Sequence, residues 1–493
     1  SAMIAAALAA AFLAGMFLGW IALPVVLIFA CLAVLLEQRI VLVAGAAFLL
    51  CLSGVWRAPD PPSTIGVPAG QSHDVVLQVS SAVIDTGQVQ HFQVRLENGT
   101  ELCVQNFESS RLGRGDRLRG TLSVRPVTEL PAGYAASVRA RQCAGVGYLS
   151  DVVVLHRGTG IMRWVDGVRS AAVTRLEGWV PGDRGALLSG LVIGDDARLA
   201  DSTADAFIAT GTYHVVAISG ANLTLLVALL AIFLIWIPQP WTDIAPLLPV
   251  WMYVLIGGAG PPTVRAGLLA TIVVLGRVRG RSIDLLTLTI LIAAVQAAIW
   301  PHVTLGLSYQ LSTVAMIVVL LVSGGRRHLP AWHPMRVIAV SSLTVNLAIL
   351  PLLPPASRPA LLPAIVANLL IALPVAAAFI LGLVALGLAL IAPGLGQPFA
   401  LLAGQTNGLT IGIVRTIAGI DWIPRALLLP VGSMPEWFIA LLAVCAVLLA
   451  SHDLRRTLLD LRWAAVSQAA VLRPIAIGAG IGLLGAISIV IMY

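Results

Sequence analysis

Apolar runs of membrane-spanning length dominate this sequence. They lie near 222–237, 245–258, 262–276, 285–300, 303–323, 336–353, 362–391, 397–418, 436–450 and 474–492, and three more occupy 3–20, 21–36 and 39–56. A helix crosses a bilayer with about 17–25 mainly apolar residues. Hydrocarbon offers no partner to an open backbone, so such runs fold as helices. The expectation is a polytopic α-helical membrane protein with roughly 10–13 spanning, broken or re-entrant helices. Several runs are short or interrupted by Gly-Gly or Pro, and broken helices at membrane depth line cavities. Charged residues make up only 11% of the 493, against about 25% in soluble proteins.

All 30 basic side chains are Arg. Without Lys there is no phosphate-binding P-loop and no Schiff base, and nothing in the sequence calls for a cofactor. The net charge of +7 is partly a topology signal. Clusters Arg277/Arg279/Arg281, Arg326/Arg327/Arg336 and Arg455/Arg456/Arg462 fall in three loops that the positive-inside rule places in the cytoplasm. With Arg39 also inside, the third helix exits and the segment after it is extracytoplasmic.

That segment has a different texture. Residues 59–71 form a Pro-rich linker between helices 1–58 and a region, 72–157, of short Val-rich alternating runs with Gly, Asn and Asp turns. Five or so strands in this space suit a small OB-fold-like β-barrel. Arg111, Arg114, Arg117, Arg119 and Arg125 crowd one strand-loop-strand region against only Asp116. They form either a solvated loop or a surface that tracks phosphates. Cys103 and Cys143 both lie here, and an oxidising side would allow a disulfide between them. No Cys/His spacing indicates a metal site.

Residues 158–210 read as amphipathic and interfacial helices, with Arg163, Asp166, Arg169 and Arg175 on the polar face of 161–180. The polytopic domain follows at 211–493. Its most informative stretch is GLVIGDDARLADSTADAFIATGTYHVVAISGAN, Gly190 to Asn222, which holds Asp195, Asp196, Asp205, His214, Ser219 and Asn222 at the mouth of an apolar run. Arg265, Gln310, Asn346 and Asn368 lie within other runs. Each alone is accounted for by an interhelical hydrogen bond. Together, on separate spans, they favour a shared polar path. His214 and Ser219 are five positions apart and share no helix face, which weighs against a nucleophile-base pair, so no catalytic residue is assigned.

The run from Gly190 to Asn222 resembles the signature of the ComEC competence family, DNA-internalisation channels of transformable bacteria. Arg265-Ala266, Leu307-Ser308-Tyr309-Gln310-Leu311-Ser312 and Ala367-Asn368-Leu369 with Pro374 resemble further family segments in the same order. The resemblance implies a multi-pass protein of the bacterial plasma membrane that passes single-stranded DNA inward. His214, Ser219, Asn222, Arg265, Gln310 and Asn368 would line the path, with Gly211 and Gly220 at backbone breaks. The barrel would receive DNA outside. An extracytoplasmic DNA receptor, a cytoplasmic helicase-like ATPase and a separate nuclease are implied as partners, beside membrane lipid. The family's metallo-β-lactamase-like domain needs H-x-H-x-D-H, and no H-x-H occurs among the eight His, so nuclease activity is not carried over. A secondary transporter of a small anion and a membrane-embedded hydrolase are the alternatives.

Overall fold

The computed structural model describes residues 72–420 apart from 108–111, 217, 219, 235, 239–240, 281–282, 284, 324–332, 354–360 and 393. The expected helices at 3–20, 21–36, 39–56, 436–450 and 474–492, the linker, and the residues Arg111 and Ser219 lie outside the described residues.

Alternation of buried and exposed residues builds a closed barrel from β1 (Ser72–Val79), β3 (Gln90–Leu96), β4 (Glu101–Asn106), β5 (Arg117–Pro126) and β6 (Gly145–His156), with a two-residue β2 (Ile84–Asp85) beside β3. The order is β1-β5-β6-β4-β3, and β3 returns to β1. All pairings are antiparallel except β4 with β6. This is the five-stranded order of an OB-type barrel. Leu77, Val94, Leu102, Val104, Leu118, Leu122 and Val124 fill it. Helix α1 (Ala132–Ala140) fills the β5–β6 connection. The end of that connection is fastened to β4 by a Cys103–Cys143 disulfide across a sequence separation of 40.

The arginine-rich region is neutralised by partners from elsewhere in the chain, not by Asp116 alone as its sequence suggests. Arg119 pairs with Asp74 at 2.6 Å, Arg117 with Glu97 at 3.9 Å and Arg114 with Asp166 at 3.3 Å. The Arg119 guanidinium holds the Asp74 carboxyl below its ordinary range. Arg125 is exposed. Asp116 is fully buried and serves another purpose. It accepts from Gly113 N at 3.0 Å, Gly158 N at 2.7 Å, Arg157 at 3.3 Å and Arg163. These contacts weld the barrel to the start of α2 (Ile161–Trp179).

Helices follow: α3 (Asp183–Ile193), α4 (Asp201–Ala209), α5 (Gly220–Phe233), α6 (Trp241–Ile244), α7 (Leu247–Ile256), α8 (Pro261–Val278), α9 (Leu285–Ile299), α10 (Leu307–Ser323), α11 (His333–Ile349), α12 (Leu361–Ile391) and α13 (Gln397–Ala418). Helix α3, expected at an interface, is instead the centre of the domain, with every residue from Gly185 to Ile193 buried. Leu187, Leu188 and Leu191 pack with Leu176, Phe207, Phe379 and Val414. Arg169, expected on a polar face, is also buried. Its terminal nitrogens donate to the carbonyls of Ile193 (3.2 Å), Ile256 (3.0 Å) and Gly194 (2.9 Å) and approach Asp195 at 3.6 Å. A guanidinium thus closes the carboxyl ends of both α3 and α7, where carbonyls lack helical partners and the dipole favours a cation. Gly194 ends α3 at φ 73°, the left-handed cap conformation that glycine adopts freely.

Helices α5, α8, α10, α11 and α12 pack each against the next, and α12 returns to α5, closing a ring. Helices α9 and α12 expose large apolar side chains. On α9, Thr289 and Gln296 are buried while Leu291, Val295 and Ile299 are exposed. On α12, Leu362, Val366, Leu370 and Leu373 form an exposed stripe, Leu373 being 79% exposed. Among the described residues, Pro261–Val278 and Leu362–Ile391 are long and apolar enough to cross a membrane by length and composition.

Two measurements test the junction. Asp116→Ala removes the acceptor shared by Arg163 and two backbone N–H groups, and is expected to lower stability by about 2–3 kcal/mol, read as a lower thermal midpoint in detergent. At Asp166, burial pushes the carboxyl above its ordinary range despite Arg114, so the ionised form is disfavoured in the fold. Asp166→Asn is expected to raise the midpoint near pH 7, and the gain should vanish toward about pH 4 as the wild-type carboxyl protonates; a gain that grew on acidification would contradict this.

Candidate functional site in the helical domain

Three of the sequence motifs meet at one place. The first, ending in Gly220-Ala221-Asn222, starts α5. A side-chain carbon added at Gly220 would lie 3.8 Å from Ala266 Cβ on α8 and 3.7 Å from Met316 Cε on α10. Ala266 belongs to the Arg-Ala step, and Met316 follows the Leu-Ser-Tyr-Gln-Leu-Ser segment by one helical turn.

Arg265 is the chemical centre of this junction. Pro261 starts α8, where its missing N–H costs nothing, and Arg265 lies one turn further on. On α10, Tyr309 and Thr313 are four positions apart and share a face. The guanidinium lies over the Tyr309 ring, 4.9 Å from its centroid, and its Nη1 donates to Thr313 Oγ1. Thr313 donates in turn to the Tyr309 carbonyl at 2.7 Å, and the Tyr309 hydroxyl donates to the Ala293 carbonyl of α9 at 2.6 Å. Gln296 Nε2 donates to the Pro261 carbonyl at 3.1 Å. Arg265 is 2% exposed, and its Nε and Nη2 have no hydrogen-bond partner among the described residues. Thr289 Oγ1 and Gln296 Oε1 on α9 are likewise buried without one.

The remaining predicted path residues are distributed around the ring. Asn222 is buried and donates to the Leu191 carbonyl at 3.0 Å, anchoring the first turn of α5 to α3. Gln310 donates to the Thr304 carbonyl at 2.9 Å, fixing the short turn Pro301–Leu305 to the start of α10. Asn368 on α12 donates to Ser342 Oγ on α11 at 3.0 Å. Asn346 donates to the Ser342 carbonyl at 2.8 Å. These two form a second polar cluster. His214 is exposed, and its Nδ1 is 3.2 Å from the Gly211 carbonyl, which gives no general-base geometry. Gly211 has φ 64°, in the left-handed region that glycine adopts freely. Gly220 is different: it is the first residue of α5, has no positive φ, and a side chain there would meet only ordinary contacts. Asp195 pairs with Arg169, and Asp196 accepts from the Tyr213 hydroxyl at 3.1 Å.

A family model described as Competence protein matches residues 191–456. The chain belongs to the Competence protein family. Its members are membrane proteins with a role in DNA uptake during transformation. The matched segment begins inside α3 and contains α5, α8, α10 and α12, hence every residue of the Arg265 cluster. Comparison with curated proteins and with solved structures returns no match. Sequence reasoning found Arg265 but missed its partner Thr313 and the neighbouring Gln296, which bonds the Pro261 carbonyl at the start of α8. The available signal was their polar character inside apolar helices, Thr313 one turn after Tyr309 and Gln296 before Trp300.

A cation buried without a carboxylate partner is a cost to the empty fold. Arg265→Met is therefore expected to melt at or above the wild type, by a margin of up to about 3 kcal/mol. A melting midpoint well below the wild type would mean that Arg265 acts chiefly as structural support.

Proposed function

We propose that the helical domain is a multi-pass module of the bacterial plasma membrane that passes single-stranded DNA into the cytoplasm. The observation that carries this reading is the combination of exposed apolar stripes with buried polar side chains in the helices. Apolar stripes such as Leu362, Val366, Leu370 and Leu373 face outward, while Arg265, Thr313, Asn346 and Gln296 are buried. Soluble domains do the reverse; in a bilayer, polar groups turn inward and mark pathways. Membership of a family with a role in DNA uptake supports DNA as the cargo.

The chemistry suits it. A strand carries one charge per nucleotide, so its route must offset phosphate charge without holding it tightly. Amides and hydroxyls on α5, α10, α11 and α12, with one Arg on α8, do this better than a ladder of cations. The ring of five helices supports a path between them, with Asn222, Arg265, Gln310 and Asn368 contributed by four of its members.

The barrel is the receiving module in this reading. Gln142, beside the disulfide, lies 2.8 Å from His302 Nδ1 in the turn that leads into α10. Arg198 Nε donates to the Asp85 carbonyl in the β1–β3 connection at 3.1 Å. Both barrel connections that flank the ligand face of OB-folds therefore touch the helical domain. With Arg114, Arg117 and Arg119 engaged by carboxylates, the surface suited to a single strand is the exposed Phe107, Tyr134 and Tyr148 with Arg125, which offers stacking plus charge. An oxidising, extracytoplasmic setting accords with the disulfide. A DNA receptor outside, a helicase-like ATPase inside and a separate nuclease complete the scheme, since the sequence lacks a P-loop lysine.

The test is transformation frequency in the host carrying Arg265→Ala, with membrane expression checked by immunoblot. The expected result is a fall by orders of magnitude at normal expression, matching deletion of the gene. Normal transformation after gene deletion would overturn the reading and leave a small-anion transporter in its place.

A further inference from the structure

Among the described residues, the two buried arginines of the helical domain are used differently. Arg169 has both terminal nitrogens committed to three backbone carbonyls and lies 3.6 Å from Asp195. Arg265 commits only Nη1, to Thr313, and rests its face on Tyr309. The nitrogens left over are Nε and Nη2. In a guanidinium these two form one edge, whose parallel N–H bonds match the two oxygens of a carboxylate or phosphate. Thr313 and Tyr309 hold the group by its other nitrogen and its face, so the fork is fixed, buried and without a partner among the described residues.

A second feature points the same way. Helix α5 has 14 residues, and its N-terminal Gly220 abuts Ala266, the neighbour of Arg265, and Met316, three positions past Thr313. The first-turn N–H groups of a helix lack intrahelical acceptors, and its dipole places partial positive charge there. The Asn222 amide is already engaged by Leu191 and does not neutralise this end. The N-terminus of α5 thus packs on α10 and on the turn of α8 that carries Arg265, and no carboxylate pairs with Arg265 among the described residues.

We propose that the Nε–Nη2 edge of Arg265 binds one oxyanion, a phosphodiester of single-stranded DNA or free inorganic phosphate. The site is closed at rest, with Arg265 stacked on Tyr309, and takes its anion when α5 and α8 part. Assigning the DNA backbone as the source rests on the proposed passage of single-stranded DNA; the oxyanion chemistry does not. One phosphate held at a time restrains the strand without trapping it, because the next phosphate competes for the same fork.

The experiment uses the full chain in detergent and isothermal titration with three probes: dimethyl phosphate, inorganic phosphate and a hexathymidylate. Arg265→Lys keeps the charge and loses the fork, and Arg265→Met loses both. The expected result is binding of all three probes by the wild type, at least tenfold weaker in the Lys variant and lost in the Met variant. Arg265-dependent binding of the two small phosphates without the oligonucleotide would uphold the site and overturn DNA passage. Oligonucleotide binding of equal strength in the wild type and both variants would uphold DNA binding and overturn the site. Binding of none of the probes also overturns it. If the Met variant fails to fold, the Lys variant decides, and unchanged affinity there overturns the site.

Discussion

A buried guanidinium ties this fold together. Arg169 reaches from α2 to the carboxyl ends of α3 and α7 and satisfies carbonyls that neither helix can satisfy itself. Helix α2 also carries Arg163, which enters the Asp116 cluster of the barrel. One helix therefore connects the barrel, the central helix α3 and α7 through charged groups that find partners only in the complete fold. The Arg415–Asp183 pair, at 2.9 Å, makes a similar tie from α13 to the start of α3. Apolar packing around Leu187, Leu188 and Leu191 fills the space between these ties, but is less specific about direction.

The same rule, that polar groups in an apolar shell must be partnered, gives the functional reading its force. Other polar side chains of the ring have partners: Asn222 with Leu191, Gln310 with Thr304, Asn368 with Ser342. Arg265 does not have enough of them. Its stacking on Tyr309 and its bond to Thr313 orient the group and leave its binding edge empty. A site that must bind and release a moving polyanion requires this kind of incompleteness, since a fully paired arginine would have nothing to offer.

Much of this was legible in the sequence, and the failures have physical causes. The strands followed from period-two alternation, and the five-stranded barrel from their number and spacing. Helix α5 and helices α7 to α13 followed from apolar runs and their Gly and Pro breaks; the four-residue α6 did not. Arg265 stood out because an arginine is costly in such a run. The errors concern long-range charge. Asp74, Glu97 and Asp166 lie far in sequence from Arg119, Arg117 and Arg114, so the arginine cluster looked unopposed when only its neighbour Asp116 was in view. Arg169 and α3 were misread because amphipathic periodicity reports which face is polar, not whether that face is covered by other helices. Gly220 was read as a break although helix N-termini tolerate glycine in ordinary helical conformation.

The central claim is that the polar side of the helical ring meets incoming DNA and the apolar side meets lipid. Site-specific photo-crosslinking in transforming cells supplied with labelled DNA tests this most directly, with the photoreactive residue at Gln310 or at Leu373. The account predicts protein–DNA adducts from Gln310 and none from Leu373, which should label lipid instead. Equal adducts from both positions, or adducts from Leu373 alone, would contradict it.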